Sequence, residues 1–178
     1  MAKTEMLHPQ DVLVACKIFA IELARGSWTF SSLAAATGLS AGEAHNAVSR
    51  CRQARLLTPG GAVSKRPMRD LLAVAVPSMM FAHRGGIGHG MLTALLAEPL
   101  AGKFVVDPET LPMVWARAEG GEGGTRGECV DPIYPTVPYA SEQDPVVYEL
   151  MALVDVVRLG NSAEKSTAIT LIEKRLAR

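Results

Sequence analysis

The chain has 178 residues, enough for one domain with a substantial core or for a small domain with an appendage. Its 18 Lys and Arg balance 18 Asp and Glu, so the molecule as a whole lacks the net positive charge of a protein that coats nucleic acid. No apolar run approaches the roughly 18 residues of a membrane span, the first ten residues lack the apolar centre of a signal peptide, and Cys16, Cys51 and Cys129 are widely spaced without a CxxC pair. The expectation is a cytoplasmic protein with free, mostly buried thiols.

The charge is unevenly distributed. Between residues 40 and 70, Arg50, Arg52, Arg55, Lys65, Arg66 and Arg69 outnumber Glu43 and Asp70, whereas residues 98–155 carry eleven acids against Lys103, Arg117 and Arg126. One face is therefore suited to a polyanion and another would be repelled by it.

In chain order, Val12, Leu13, Cys16, Ile18, Phe19 and Leu23 recur at helical spacing over residues 9–24, ending near Gly26. After the apolar bridge Trp28, Thr29 and Phe30, Ser31 or Ser32 is placed to cap a short helix over 33–37 that Gly38 stops. Ser40, with Glu43 three residues on, predicts a capping box and a helix to about Arg55, with Ala44, Val48, Cys51 and Ala54 toward the core. Leu56 to Val63 surround Pro-Gly-Gly and read as a small hairpin. Arg66 and Pro67 then open a helix whose buried face is Leu71 to Val76.

Residues 77–138 hold ten glycines and seven prolines, and there the pattern yields only a strand candidate at 113–116 and a loop, GGEGGTRGE, expected to be mobile. Order returns at Asp144, an N-cap followed by Pro145 and a stripe of Val146, Leu150, Leu153, Val154 and Val157 that ends at Gly160. A last helix starts at Ser162 and turns Ile169, Leu171, Ile172 and Leu176 inward. So short a link makes the two helices fold back on each other.

The run WTFSSLAAATGLSAGEAHNAVSRCRQARLLTPGGAVSK, within residues 8–66, resembles the winged helix-turn-helix domain of bacterial transcription regulators of the MarR and IclR kinds. That resemblance implies a mainly α fold with a small β wing, a domain over 8–76, and a loop-rich region with a C-terminal helical hairpin over 77–178 that serves dimerisation or regulation. The family commonly places a glycine where this chain has Arg55. The run DPIYPTVPYASEQDPVVYELMALVDVVRLG also resembles the C-terminal part of small bacterial winged-helix proteins.

The function implied is sequence-specific recognition of double-stranded DNA, with helix 41–55 in the major groove. Asn46 and His45 offer donors and acceptors to base edges, Ser49 suits either, and the small Ala41 and Gly42 permit close approach, with Ser40 at the helix start also in the contact set. Arg50, Arg52, Lys65, Arg66 and Arg69 would meet phosphates. A homodimer is expected, joined by the C-terminal hairpin or the first helix, because one such unit reads few base pairs. The alternative is a protein-interaction module, antitoxin-like or adaptor, that docks a protein through the same basic surface.

Other chemistry is weakly signalled. In AHRGGIGHG, Gly85 and Gly90 have the interval of a phosphate-binding loop, but Met91 and Leu92 stand where Lys and Ser or Thr are needed, so a glycine-rich connector is expected. His83 and His89 lack a third ligand nearby, which argues against a metal. No GxSxG turn or cysteine-centred constellation is present, so neither an enzyme nor a cofactor is expected.

Overall fold

The computed structural model describes residues 6–116 and 123–178. The first helix, α1 (Pro9–Leu23), is buried at every position from Asp11 to Ala20. A helix apolar on all sides belongs in a core, and any charge it carries must find a partner there. Lys17 Nζ donates to Asp144 Oδ2 at 2.7 Å, and Asp11 pairs with Arg50.

Helix α2 (Phe30–Thr37) begins earlier than expected, because Thr29 rather than Ser31 or Ser32 is its cap. Thr29 Oγ1 accepts the Ser32 amide at 3.1 Å, and Ser32 Oγ accepts the Thr29 amide at 2.9 Å. Gly38 ends it at φ 69°, where a side chain would also strike the Tyr139 ring 3.1 Å away. Helix α3 (Ala41–Gln53) has the expected capping box: Glu43 N donates to Ser40 Oγ at 3.2 Å and Ser40 N to Glu43 Oε2 at 2.8 Å.

Helix α3 closes with a paired-carbonyl cap in which Leu56 N donates to Cys51 O at 2.9 Å and Arg55 N to Arg52 O at 3.0 Å. This geometry puts Arg55 at φ 60°, the left-handed conformation for which glycine is the usual choice. The inward face of α3 is Ala44, Ala47, Val48 and Cys51, while Ala54, expected inside, is the exposed C-cap.

The hairpin expected at 56–63 is reduced to one antiparallel bridge, Leu57 to Val63, closed by Thr58 N donating to Ala62 O at 2.7 Å. From Ser64 the chain enters α4 (Lys65–Asp70), widens through a π turn (Leu71–Ala75) and finishes as α5 (Val76–Met79). The π turn ends one residue short of the Val76–Pro77 peptide bond, and Pro77 has no amide hydrogen to continue an ordinary ladder.

Regular β structure lies instead in the stretch expected to be loop. Strand β1 (Arg84–Thr93) pairs antiparallel with both β2 (Met113–Ala116) and β3 (Thr125–Val130), and β2 runs parallel to β3, so the three strands close on one another. The 113–116 strand is found as expected. Residues 84–90 of the AHRGGIGHG segment are strand rather than connector, and 125–128 of the expected mobile loop belong to β3; the 120–122 part of that loop lies outside the described residues. The glycines serve close backbone approach: a Cβ on Gly90 would lie 2.0 Å from the Trp115 carbonyl oxygen.

Helices α6 (Val137–Gln143), α7 (Pro145–Leu159) and α8 (Ser162–Leu176) complete the chain, with α7 and α8 folded back on each other as expected. Asp144 caps α7 by accepting the Val146 amide at 2.9 Å, and Asn161 Oδ1 caps α8 through the amides of Ala163 and Glu164 at 2.9 and 3.0 Å. Helix α7 is the centre of the molecule, buried from Val147 to Val157 and packed on α1, α5, α6 and α8.

One apolar cluster runs from Val12 to Leu176, so the core continues across residue 76, where a domain boundary was expected. Leu153 and Ile172 are wholly buried within the single chain. Of the elements expected to meet a second subunit, α1 and α7 are therefore occupied internally, whereas α8 of the same hairpin buries only Ala168, Ile172 and Leu176.

Charged clamps tie α7 in place. Asp155, 1% exposed, accepts from Trp115 Nε1 at 2.7 Å and Thr93 Oγ1 at 2.8 Å and pairs with Arg158 at 2.7 Å. Burial raises its carboxyl above the ordinary value, against the opposing pull of Arg158, Thr93 and Trp115. Arg158 in turn donates to the carbonyls of Met80 and Phe81 at 2.9 and 2.7 Å, fixing the exit of α5. Glu149 pairs with Arg175 of α8 and, at 3.0 Å, with Lys103. Among the described residues, no helix is long and apolar enough to cross a membrane.

Candidate nucleic-acid interface

The outer side of α3 presents Ala41, Gly42, His45 and Asn46 to solvent, with Ser49 half-buried behind them. Ser40 and Glu43 are engaged with each other as the helix cap. That hydrogen bond holds the fully exposed Glu43 carboxyl below its ordinary value. The His45 ring stands 5.0 Å from that of Phe30, which stands 5.7 Å from Trp28, so an aromatic row leads from α3 toward the end of α1.

Gly42 is informative because nothing within the chain requires it. A Cβ there would meet no atom within 4 Å, and its φ is ordinary. Glycine in a helix costs up to about 1 kcal/mol relative to alanine. The sequence therefore keeps a backbone open to the outside at the start of α3.

The five cations expected at phosphates divide in two. Arg50 is turned inward: Nε and Nη2 donate to the two oxygens of Asp11 at 2.8 and 2.7 Å, with Asp11 fully buried and the Arg50 side chain 10% exposed. Arg69 lies between Asp70 at 2.9 Å and Glu173 at 2.8 Å. Arg50 was expected at phosphates, and its guanidinium is instead the clamp between α1 and α3. The reason is the buried Asp11 carboxylate, which no water can reach.

Arg52, Lys65 and Arg66 remain exposed, as does Arg55, which was not among the expected contacts. Arg52 edges an open cleft of about 570 Å³ lined also by Trp28, Phe30, Glu22 and Gly61, between the end of α1 and the 57–63 turn. Glu22 Oε1 accepts the Val63 amide at 2.8 Å and so anchors that turn to α1. Trp28 and Phe30 read in the sequence as a bridge; the row that half-buried Trp28 and Phe30 make toward exposed His45 had no periodic signal, because the three residues come from a loop and two helices.

The acidic half of the chain borders the other end of the interface. Tyr139 Oη donates to the Ala35 carbonyl at 3.0 Å, so α6 covers the α2–α3 turn. Tyr134 is held above its ordinary value by burial and by the charge of Glu43. The histidines of the β1 region, His83 and His89, are both exposed, and no group of three or more metal-ligating side chains occurs among the described residues. Comparison with models of known protein families, with curated proteins and with solved structures finds no match for this chain.

Proposed function

We propose that the protein is a transcription regulator that binds double-stranded DNA as a homodimer, with residues 8–76 forming a winged helix-turn-helix and α3 entering the major groove. The observation that carries this reading is the outer side of α3: an unrequired glycine, Gly42, beside exposed His45 and Asn46. A groove wall that approaches the helix backbone closely gives Gly42 a purpose, and Asn46 and His45 then reach base edges. Arg52, Lys65 and Arg66 flank this face and are available to phosphates. Arg50 and Arg69, satisfied by carboxylates of the chain itself, drop out of the contact set. Two copies are needed because one α3 spans too few base pairs for useful specificity.

A second reading, a module that binds a protein, is favoured by a different feature. Val74, Met79 and Phe81, at 58%, 63% and 76% exposure, leave apolar surface on and just beyond the helix that follows the basic turn. Salt separates the two. The test is selection of bound sequences from a random DNA pool by the intact protein, followed by titration of the enriched duplex with salt. DNA binding predicts enrichment and a steep linear loss of log affinity with log salt. No enrichment above input, with the protein folded, would remove the DNA reading.

A further inference from the structure

A second cavity, remote from α3, lies between the closed strands and the joint of α7 with α8. It has a volume of about 400 Å³, within the range of small-molecule sites. Its walls are Leu95, Leu111, Met113, Val156 and Leu159, and an apolar recess continues from it past Leu96. Its floor includes Ala94, which is buried yet held at φ 52°. A non-glycine residue in that region costs about 1–2 kcal/mol, and such strain gathers where a binding surface is held in a set shape.

The mouth of this cavity carries Arg84, Glu128 and Glu164. Arg84 and Glu128 touch loosely at 3.4 Å, and Glu164 uses one oxygen, Oε2, to accept the Asn161 amide at 2.7 Å. Two carboxylates against one guanidinium leave the mouth net negative over an apolar interior. We propose that this cavity binds a small amphipathic amine, its apolar body among Leu95, Leu111 and Met113 and its ammonium at Glu128 and Glu164. The site stands independently of the DNA reading.

Titration of the full chain with phenylbutylamine, phenylbutanol and phenylbutyrate, followed calorimetrically, tests the assignment. The amine should bind tightest, the alcohol about fivefold more weakly, as befits one partly exposed ion pair, and the carboxylate more weakly again. Glu164→Gln preserves the helix cap and, because it leaves Glu128 balanced by Arg84, should erase the preference for amine over alcohol. Leu111→Arg, at a half-exposed position, should abolish amine binding without lowering the melting temperature. Binding of the carboxylate as tightly as the amine, amine binding undiminished in Leu111→Arg with the amine preference retained in Glu164→Gln, or no heat from any of the three at millimolar concentration would overturn the proposal.

Discussion

Removal of the Arg50 side chain separates a structural cation from one that contacts a ligand. Asp11 has no exposed surface, and both of its oxygens accept from Arg50, at 2.7 and 2.8 Å. In Arg50→Ala that carboxylate keeps the His8 amide, 2.8 Å away, but loses its counter-charge. Breaking a buried pair from one side costs about 3–5 kcal/mol, and the remaining amide places this case near the lower end, about 3 kcal/mol. Against a total stability of about 5–15 kcal/mol this is a large fraction. With a urea slope of about 2 kcal/mol/M, the unfolding midpoint should fall by about 1.5 M. The compensated double variant Asp11→Asn with Arg50→Met should recover most of the loss, because no unpaired charge is left behind. A midpoint shift below about 0.3 M for Arg50→Ala would refute the clamp and return Arg50 to the set of ligand contacts.

Other outcomes follow from the same geometry. Arg55→Gly relieves the left-handed strain at φ 60° and should stabilise the protein by about 0.5–1 kcal/mol, read as a higher melting temperature. Asp155→Ala leaves Trp115 Nε1 and Thr93 Oγ1 without an acceptor and Arg158, still bonded to the Met80 and Phe81 carbonyls, without its counter-charge, and should cost about 3 kcal/mol in urea unfolding. Burial raises the Cys16 thiol and pushes that of Cys51 up to about 12, so both should resist iodoacetamide at neutral pH until the protein unfolds, whereas half-buried Cys129 should react first by peptide mass mapping. Because Glu43 sits below its ordinary 4.5 in the folded state, its contribution to the α3 cap is present above that value and is lost as pH falls through the folded one. The Ser40 amide resonance should shift in that window, and in Glu43→Gln it should not.

Much of the helical layout was legible because local chemistry determines it. The Ser40–Glu43 box and the Asp144–Pro145 start are short-range signals, and each helix begins where they place it. Strand β2 was also legible, as a short apolar run. The glycine-rich strands were not. In β1 and β3, glycine is there for close contact with a backbone distant in sequence, Gly90 against Trp115 for example, and the same letters signify turn when read locally. The candidate interface was legible on α3, where exposure follows helical period. It was misread at Arg50, since the partner that turns it inward lies on α1. The signal was available: α1 is apolar on every side, and Asp11 within it demanded a buried cation.

Gly42→Gln tests the central claim most directly. The substitution adds a neutral side chain in open space at the start of α3 and replaces a poor helix former with a good one, so the melting temperature should hold or rise. If α3 lies in the major groove, affinity for the selected duplex should fall at least about tenfold, a loss of about 1.4 kcal/mol. Wild-type affinity in a folded Gly42→Gln protein would contradict the account, since the side chain would then occupy a space that DNA was required to fill.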